Sequence, residues 1–190
     1  MHPVISQPDH DAFSWTRVRE LLGLPYHDPR VQDLFARAGV NPDSLLRDVR
    51  VGIYSMPPHD QQPCPVTEID LTAMFRVRMR FRHARLVKGA SATAAPTDFV
   101  FSGITYFLEY DPPLEPFRGS LPWGIGPTEN VNEIVERVGR PPNTLHETPG
   151  DEFGFVLWDD KNPVLHVLFL NHDKRVVRIN AFLPANGSEI

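Results

Sequence analysis

From Ile69 to Phe81 every odd position is apolar: Ile69, Leu71, Ala73, Phe75, Val77, Met79 and Phe81. Side chains return to the same face of an extended chain every second residue, so this run predicts β-structure with one face in a core. The even positions hold Glu68, Asp70 and Thr72, then Arg76, Arg78, Arg80 and Arg82, interrupted only by Met74. The opposite face is therefore charged. At ~3.3 Å per residue an unbroken strand from Ile69 to Phe81 would span about 40 Å, roughly twice the usual length, so a bend or bulge is expected within it. A small-residue loop, Lys88 to Pro96, then leads to a returning strand over Phe99 to Tyr110. Together these segments predict a wide antiparallel hairpin.

The flanking segments read as short helices and strands. Trp15, Val18, Leu21 and Leu22 have helical spacing within Phe13 to Leu22, with Ser14 as N-cap and Gly23 and Pro25 as stop. Asp28-Pro29 starts a second helix whose stripe is Val31, Leu34, Phe35 and Ala38, closed by Gly39. Asn41 to Ser44 can start a further turn through Leu45 and Leu46, Val51 to Tyr54 reads as a strand, and Met56 to Pro65 as a proline-rich loop. After a linker over Asp111 to Pro116, a helix is expected over Pro127 to Val138. Three strands follow, Glu152 to Trp158, Val164 to Leu170 and Arg175 to Leu183, divided by the turn formers at Asp160 to Pro163 and Asn171 to Asp173.

Composition narrows the class. The 190 residues include 20 prolines, about twice the usual share, which breaks the chain into short elements and argues against a helical bundle. A net charge of -5 gives no global attraction to phosphate backbones or anionic lipid. The one cysteine, Cys64, can form neither an internal disulfide nor a zinc knuckle. No stretch reaches the ~18 apolar residues that span a bilayer, and Met1 to His10 lacks the features of an export signal, so a cytoplasmic location is expected.

The second half repeats the element order of the first, and Leu22-Gly23-Leu24-Pro25 closes one helix as Val138-Gly139-Arg140-Pro141 closes the other. The expected fold class is α+β, with two joined helix-plus-antiparallel-meander units, residues 1–110 and 111–190, sharing a curved antiparallel sheet. The run Gly119 to Gly124, the helix end Glu136 to Pro141, Trp158, the alternation Leu165-x-Val167-x-Phe169 and the segment Val176-Val177-x-Ile179 together resemble a known module. It is the helix-plus-meander unit of the β-lactamase-inhibitor-like and BamE-like superfamily, particularly its tandem members found as bacterial immunity proteins beside secreted toxins. The resemblance covers Leu114 to Leu183, and Phe13 to Tyr110 by element order. It implies binding rather than turnover, with a sheet face and loops blocking a protein partner.

Two constellations are candidate contacts. Arg76, Arg78, Arg80 and Arg82 can clamp carboxylates or phosphates; equally, they can pair across to carboxylates such as Glu109 or guard the strand against aggregation. Asp151, Glu152, Asp159 and Asp160 bracket a strand bearing Phe153, Phe155 and Trp158, which suits docking to a cationic toxin surface, with Trp158 also open to a core role. Trp123 is expected to pack over the joint between the units. The eight histidines form no His-x-His or His-Glu-x-x-His motif, and His166 should project away from the Leu165, Val167 and Phe169 face. No nucleophile elbow or phosphate-cradling loop occurs, so no catalytic residue, metal or cofactor is expected. The leading expectation is a non-enzymatic immunity protein that occludes a cognate toxin with a basic surface, without direct nucleic-acid or membrane binding. The alternatives are a cone-shaped small-molecule enzyme or binder using a His/Asp pair, and a structural component of a secretion system.

Overall fold

The computed structural model describes residues 10–39, 66–95, 98–109 and 115–186. The turn expected at Asn41 to Leu46, the strand at Val51 to Tyr54, the loop at Met56 to Pro65 and most of the Asp111 to Pro116 linker lie outside the described residues. The chain is α+β and is built on one seven-stranded antiparallel sheet. Its strands are β1 (Val66–Asp70), β2 (Val77–His83), β3 (Phe99–Phe107), β4 (Thr144–His146), β5 (Phe153–Trp158), β6 (Val164–Leu170) and β7 (Val176–Phe182), in the order β1-β2-β3-β7-β6-β5-β4.

The period-two run is not one bent strand. It folds back on itself as β1, a one-turn helix α3 (Thr72–Phe75) and β2. Leu71 and Phe75 keep their odd-position burial because the helical turn rolls them under the sheet, where the Phe75 and Phe13 ring centroids lie 4.9 Å apart. The turn closes through Arg76 in the left-handed region, at φ 56°. That conformation costs a residue with a Cβ about 1 kcal/mol, offset here by the hydrogen bond from Arg76 Nη2 to the Glu109 carbonyl at 2.6 Å.

The first helix is shorter than its spacing predicts. A 3-10 turn at His10–Phe13 precedes α1 (Trp15–Val18), and Ser14 makes no side-chain cap. The chain beyond α1 instead pairs with β3: the Gly23 amide donates to the Phe101 carbonyl at 2.8 Å and the Tyr26 amide to the Phe99 carbonyl at 2.7 Å. These sheet-type bonds begin just past the expected helix end at Leu22, and between them and α1 the Leu21 amide makes a tight turn to the Val18 carbonyl at 3.0 Å. Helix α2 (Pro29–Arg37) starts as expected, with the Asp28 carboxylate accepting from the Arg30 amide at 2.9 Å and Pro29 in the first turn.

Helix α4 (Val131–Val138) begins four residues later than Pro127, because a capping box sets its start. Asn130 Oδ1 accepts from the Asn132 and Glu133 amides, and Glu133 returns a carboxylate to the Asn130 amide at 2.7 Å. The meander has one strand more than expected, since Thr144–His146 forms the edge strand β4.

The helices and the long connection before α4 share one core with a single face of the sheet. That core includes Phe13, Val18, Phe35, Phe117 and Ile134, packed with Phe81, Tyr106, Ile179, Val167 and Trp158 from the strands. Tyr106 is fully buried and donates its hydroxyl to the Phe13 carbonyl at 3.1 Å. Trp123, from residues 111–190, stacks on Trp15, from residues 1–110, with ring centroids 5.8 Å apart. β-Bulges interrupt the β2–β3 and β6–β7 ladders, beside Arg80/Phe81 and Leu168/Phe169. Such bulges bend the strands and increase local twist.

Candidate functional site

Strand alternation assigns the other face of the sheet. Across it run Glu68 and Asp70 on β1, Arg78 and Arg80 on β2, Thr105 and Phe107 on β3, and Arg178 and Asn180 on β7. His166 and Leu168 follow on β6, Phe155 and Leu157 on β5, and His146 on β4. None of the described α-helices contributes to this face, because their apolar stripes enter the core on the other side. At one corner Val100, opposite Arg82, is buried with Ala84, Val87 and Leu183 in a second small cluster, and the rest of the face is uncovered among the described residues.

Its β1–β2 end is an ion-pair lattice. Antiparallel pairing places Glu68 opposite Arg80 and Asp70 opposite Arg78. Arg80 donates from Nε and Nη2 to Glu68 Oε1 at 2.9 and 2.8 Å, and Arg78 reaches Asp70 at 3.0 Å and Glu68 at 3.6 Å. Cross-strand pairing is therefore what occupies Arg78 and Arg80, with partners on β1. Arg76 leaves the row altogether: it is buried in the turn after α3, and its guanidinium reaches the Glu109 backbone rather than its carboxylate. Burial opposes ionisation of Asp70, but hydrogen bonds from the Thr72 hydroxyl and amide and from Arg78 outweigh it and hold the pKa below the ordinary value.

A polar chain crosses the centre. Thr105 Oγ1 donates to Asn180 Oδ1 at 2.6 Å, and Asn180 Nδ2 lies 2.9 Å from His166 Nδ1, which the Asn180 geometry makes the acceptor. Phe155 stands beside His166 at 5.2 Å, edge to face, and stacks on His146 at 5.1 Å. Burial, and then the charge of Arg80, depresses the His166 pKa.

The residues proposed from sequence divide between locations. Phe155 is half-buried on the uncovered face. Trp158 is fully buried on the core side, with its indole N–H donated to the Arg140 carbonyl at 3.3 Å. Three positions apart on one strand, the two rings must point to opposite faces, so they do not form one aromatic patch. Asp151, Glu152, Asp159 and Asp160 are exposed at the ends of β5. Asp160 is ion-paired with Arg140, whose hydrogen bond lowers its pKa, and the Asp151 carboxylate lies 3.8 Å from His146 Nε2.

Sequence reasoning missed Phe107, Thr105, Asn180 and Arg178. Alternation within Val176 to Phe182 could have flagged Arg178 and Asn180; their placement beside Thr105 and Phe107 depends on the non-local β3–β7 pairing.

A cleft of about 570 Å³ lies elsewhere, between α1 and α2, lined by residues including Thr16, Arg17, Glu20, Arg30 and Asp33. Its lining contains no histidine. Among the described residues no group of His, Cys, Asp and Glu is arranged to hold a metal ion, and no helix is long and apolar enough to cross a membrane.

The titrating groups predict a stability profile. Burial depresses the pKa of both His83 and His166, with smaller contributions from the charges of Arg85 and Arg80 respectively. The unfolded chain then binds more protons than the fold between the two values. Their contribution is complete above about pH 6.5 and is lost as pH falls through the lowered folded values. Hydrogen bonds from arginine likewise lower Asp28, Glu129 and Asp160, so with Asp70 a second loss begins below about pH 4. Urea midpoints taken across this range should fall in two stages; a flat line through the histidine window would contradict the burial of both rings.

Comparison with known proteins finds no family model, no curated protein and no solved structure that matches this chain.

Proposed function

We propose that this chain is a non-enzymatic immunity-type inhibitor that uses the uncovered face of its sheet to cover the active site of a cognate bacterial toxin. The observation that carries this reading is the asymmetry of the sheet: one face holds the core, and the other presents a row of polar, aromatic and cationic side chains from every strand. A sheet backed by a packed core is a rigid platform, which lowers the ordering cost of binding.

The proposal includes two diverged helix-and-meander units meeting at β3 and β7. Its support is that the last strand of each half pairs with the other. The two bulges support curvature of the platform.

The test is co-expression with the toxin encoded by the adjacent gene. A stoichiometric complex and restored growth are expected. Leu168→Glu, in the middle of the uncovered face, should weaken the complex at least about tenfold. Undiminished toxicity would reject the inhibitor role. Unchanged affinity of a folded Leu168→Glu protein would move the contact to another surface, with the exposed acids Asp151, Glu152 and Asp159 next in line.

A further inference from the structure

The mid-strand arginines of β2 on the uncovered face, and Arg76 beside it, are committed. Arg78 and Arg80 are spent on Glu68 and Asp70, and Arg76 Nη2 on the Glu109 carbonyl. Arg178 differs. It is exposed, it lies opposite Phe107 on one side and Leu168 on the other, and among the described residues it has no carboxylate partner. Its guanidinium carbon sits 5.0 Å from the centroid of the Phe107 ring, itself only 8% exposed.

Packing against that ring holds the side chain in place without using its N–H donors. A guanidinium fixed in this way presents paired donors of the geometry that a carboxylate accepts in bidentate fashion. Apolar flanks at Phe107 and Leu168 would shield such a pair from water, which is the setting in which an interfacial arginine contributes most.

We infer that Arg178 is the anchor for an aspartate or glutamate of the partner protein, one flanked by apolar side chains that settle on the half-buried Leu168 and Phe155. This inference rests on the reading of the face as a protein-binding platform and specifies its partner. It also sets the partner's local charge opposite to the basic surface suggested by the acidic loop ends. A nucleic-acid backbone fits poorly, since Glu68 and Asp70 share the face, the neighbouring arginines are already neutralised and the chain carries a net charge of -5.

The test uses the immobilised full chain as bait for a random dodecamer peptide library, without needing the toxin. Enriched peptides should carry an acidic residue beside apolar ones. Arg178→Gln should weaken them by roughly tenfold or more with an unchanged melting temperature, and Arg178→Lys should recover only part of the loss because it cannot offer paired donors. Enrichment of neutral or basic peptides, no enrichment, or acidic peptides indifferent to Arg178→Gln would each overturn the inference. So would tighter, Arg178-dependent binding of a single-stranded oligonucleotide. Acidic peptides bound through Arg178 by a protein that neutralises no toxin would uphold this contact and reject the inhibitor reading; neutralisation that persists in Arg178→Gln would do the reverse.

Discussion

Gly103→Val is expected to cost at least about 3 kcal/mol, a large part of the roughly 5–15 kcal/mol that holds a domain together. Gly103 lies on β3 at the start of its pairing with β7, beside the bulge, opposite Phe182. A Cβ there would sit 2.6 Å from the Phe182 Cβ and 2.9 Å from the Ala181 carbonyl oxygen. Neither atom can rotate away, because one is backbone and the other is fixed to it. Relief requires the β3–β7 ladder to part, and among the described strands that ladder joins the β1–β3 half of the sheet to the rest. Gly126→Ala is the control: its Cβ would meet only the end of the flexible Glu129 side chain, 3.3 Å away at Cγ. Urea unfolding of the two variants should separate them clearly. Similar midpoints would mean that β3 and β7 are not in this register.

Trp158→Ala should be comparably severe, at about 3–5 kcal/mol, since the largest fully buried side chain is removed and a cavity is left in the core. For a chain of this length that corresponds to a drop in melting temperature of roughly 10 °C or more. Trp158→Phe should recover much of it, losing the bond to the Arg140 carbonyl and part of the volume. The same pair of variants decides between the two roles open to this residue in the sequence. If Trp158→Ala melts like the parent but fails to bind its partner, the ring is an interface anchor and its burial is wrong.

Much of the local architecture was legible. The odd-position apolar pattern assigns the correct face to Ile69, Val77, Met79 and Phe81, and Leu165, Val167 and Phe169 against His166 do the same for β6. The Asp28-Pro29 helix start follows from capping chemistry. The same pattern misled where it ran through Leu71 to Phe75. Parity resumes after a connector that buries Leu71 and Phe75 while exposing Ala73, so alternation by itself could not separate one strand of about 40 Å from two.

The candidate site was legible only in pieces. Carboxylates stand at positions 68 and 70 and arginines at 78 and 80, yet their pairing requires the fold-back at α3. Arg76 looked like one more rung of the row, but its left-handed backbone turns it inward. The edge strand β4 gave no signal, because its three residues are exposed and too few to show a period.

What the sequence by itself determined is the facing of β2 and β6 and the Asp28-Pro29 helix start, since each depends on residues within a few positions of one another. Tertiary structure decided which strands became neighbours, and with them the meeting of Arg178 with Phe107 and of Asn180 with Thr105 and His166. The physical reason is that ladder hydrogen bonds are alike for every sequence, so the partner of β3 is selected by distant contacts in the shared core and by the space that Gly103 leaves open.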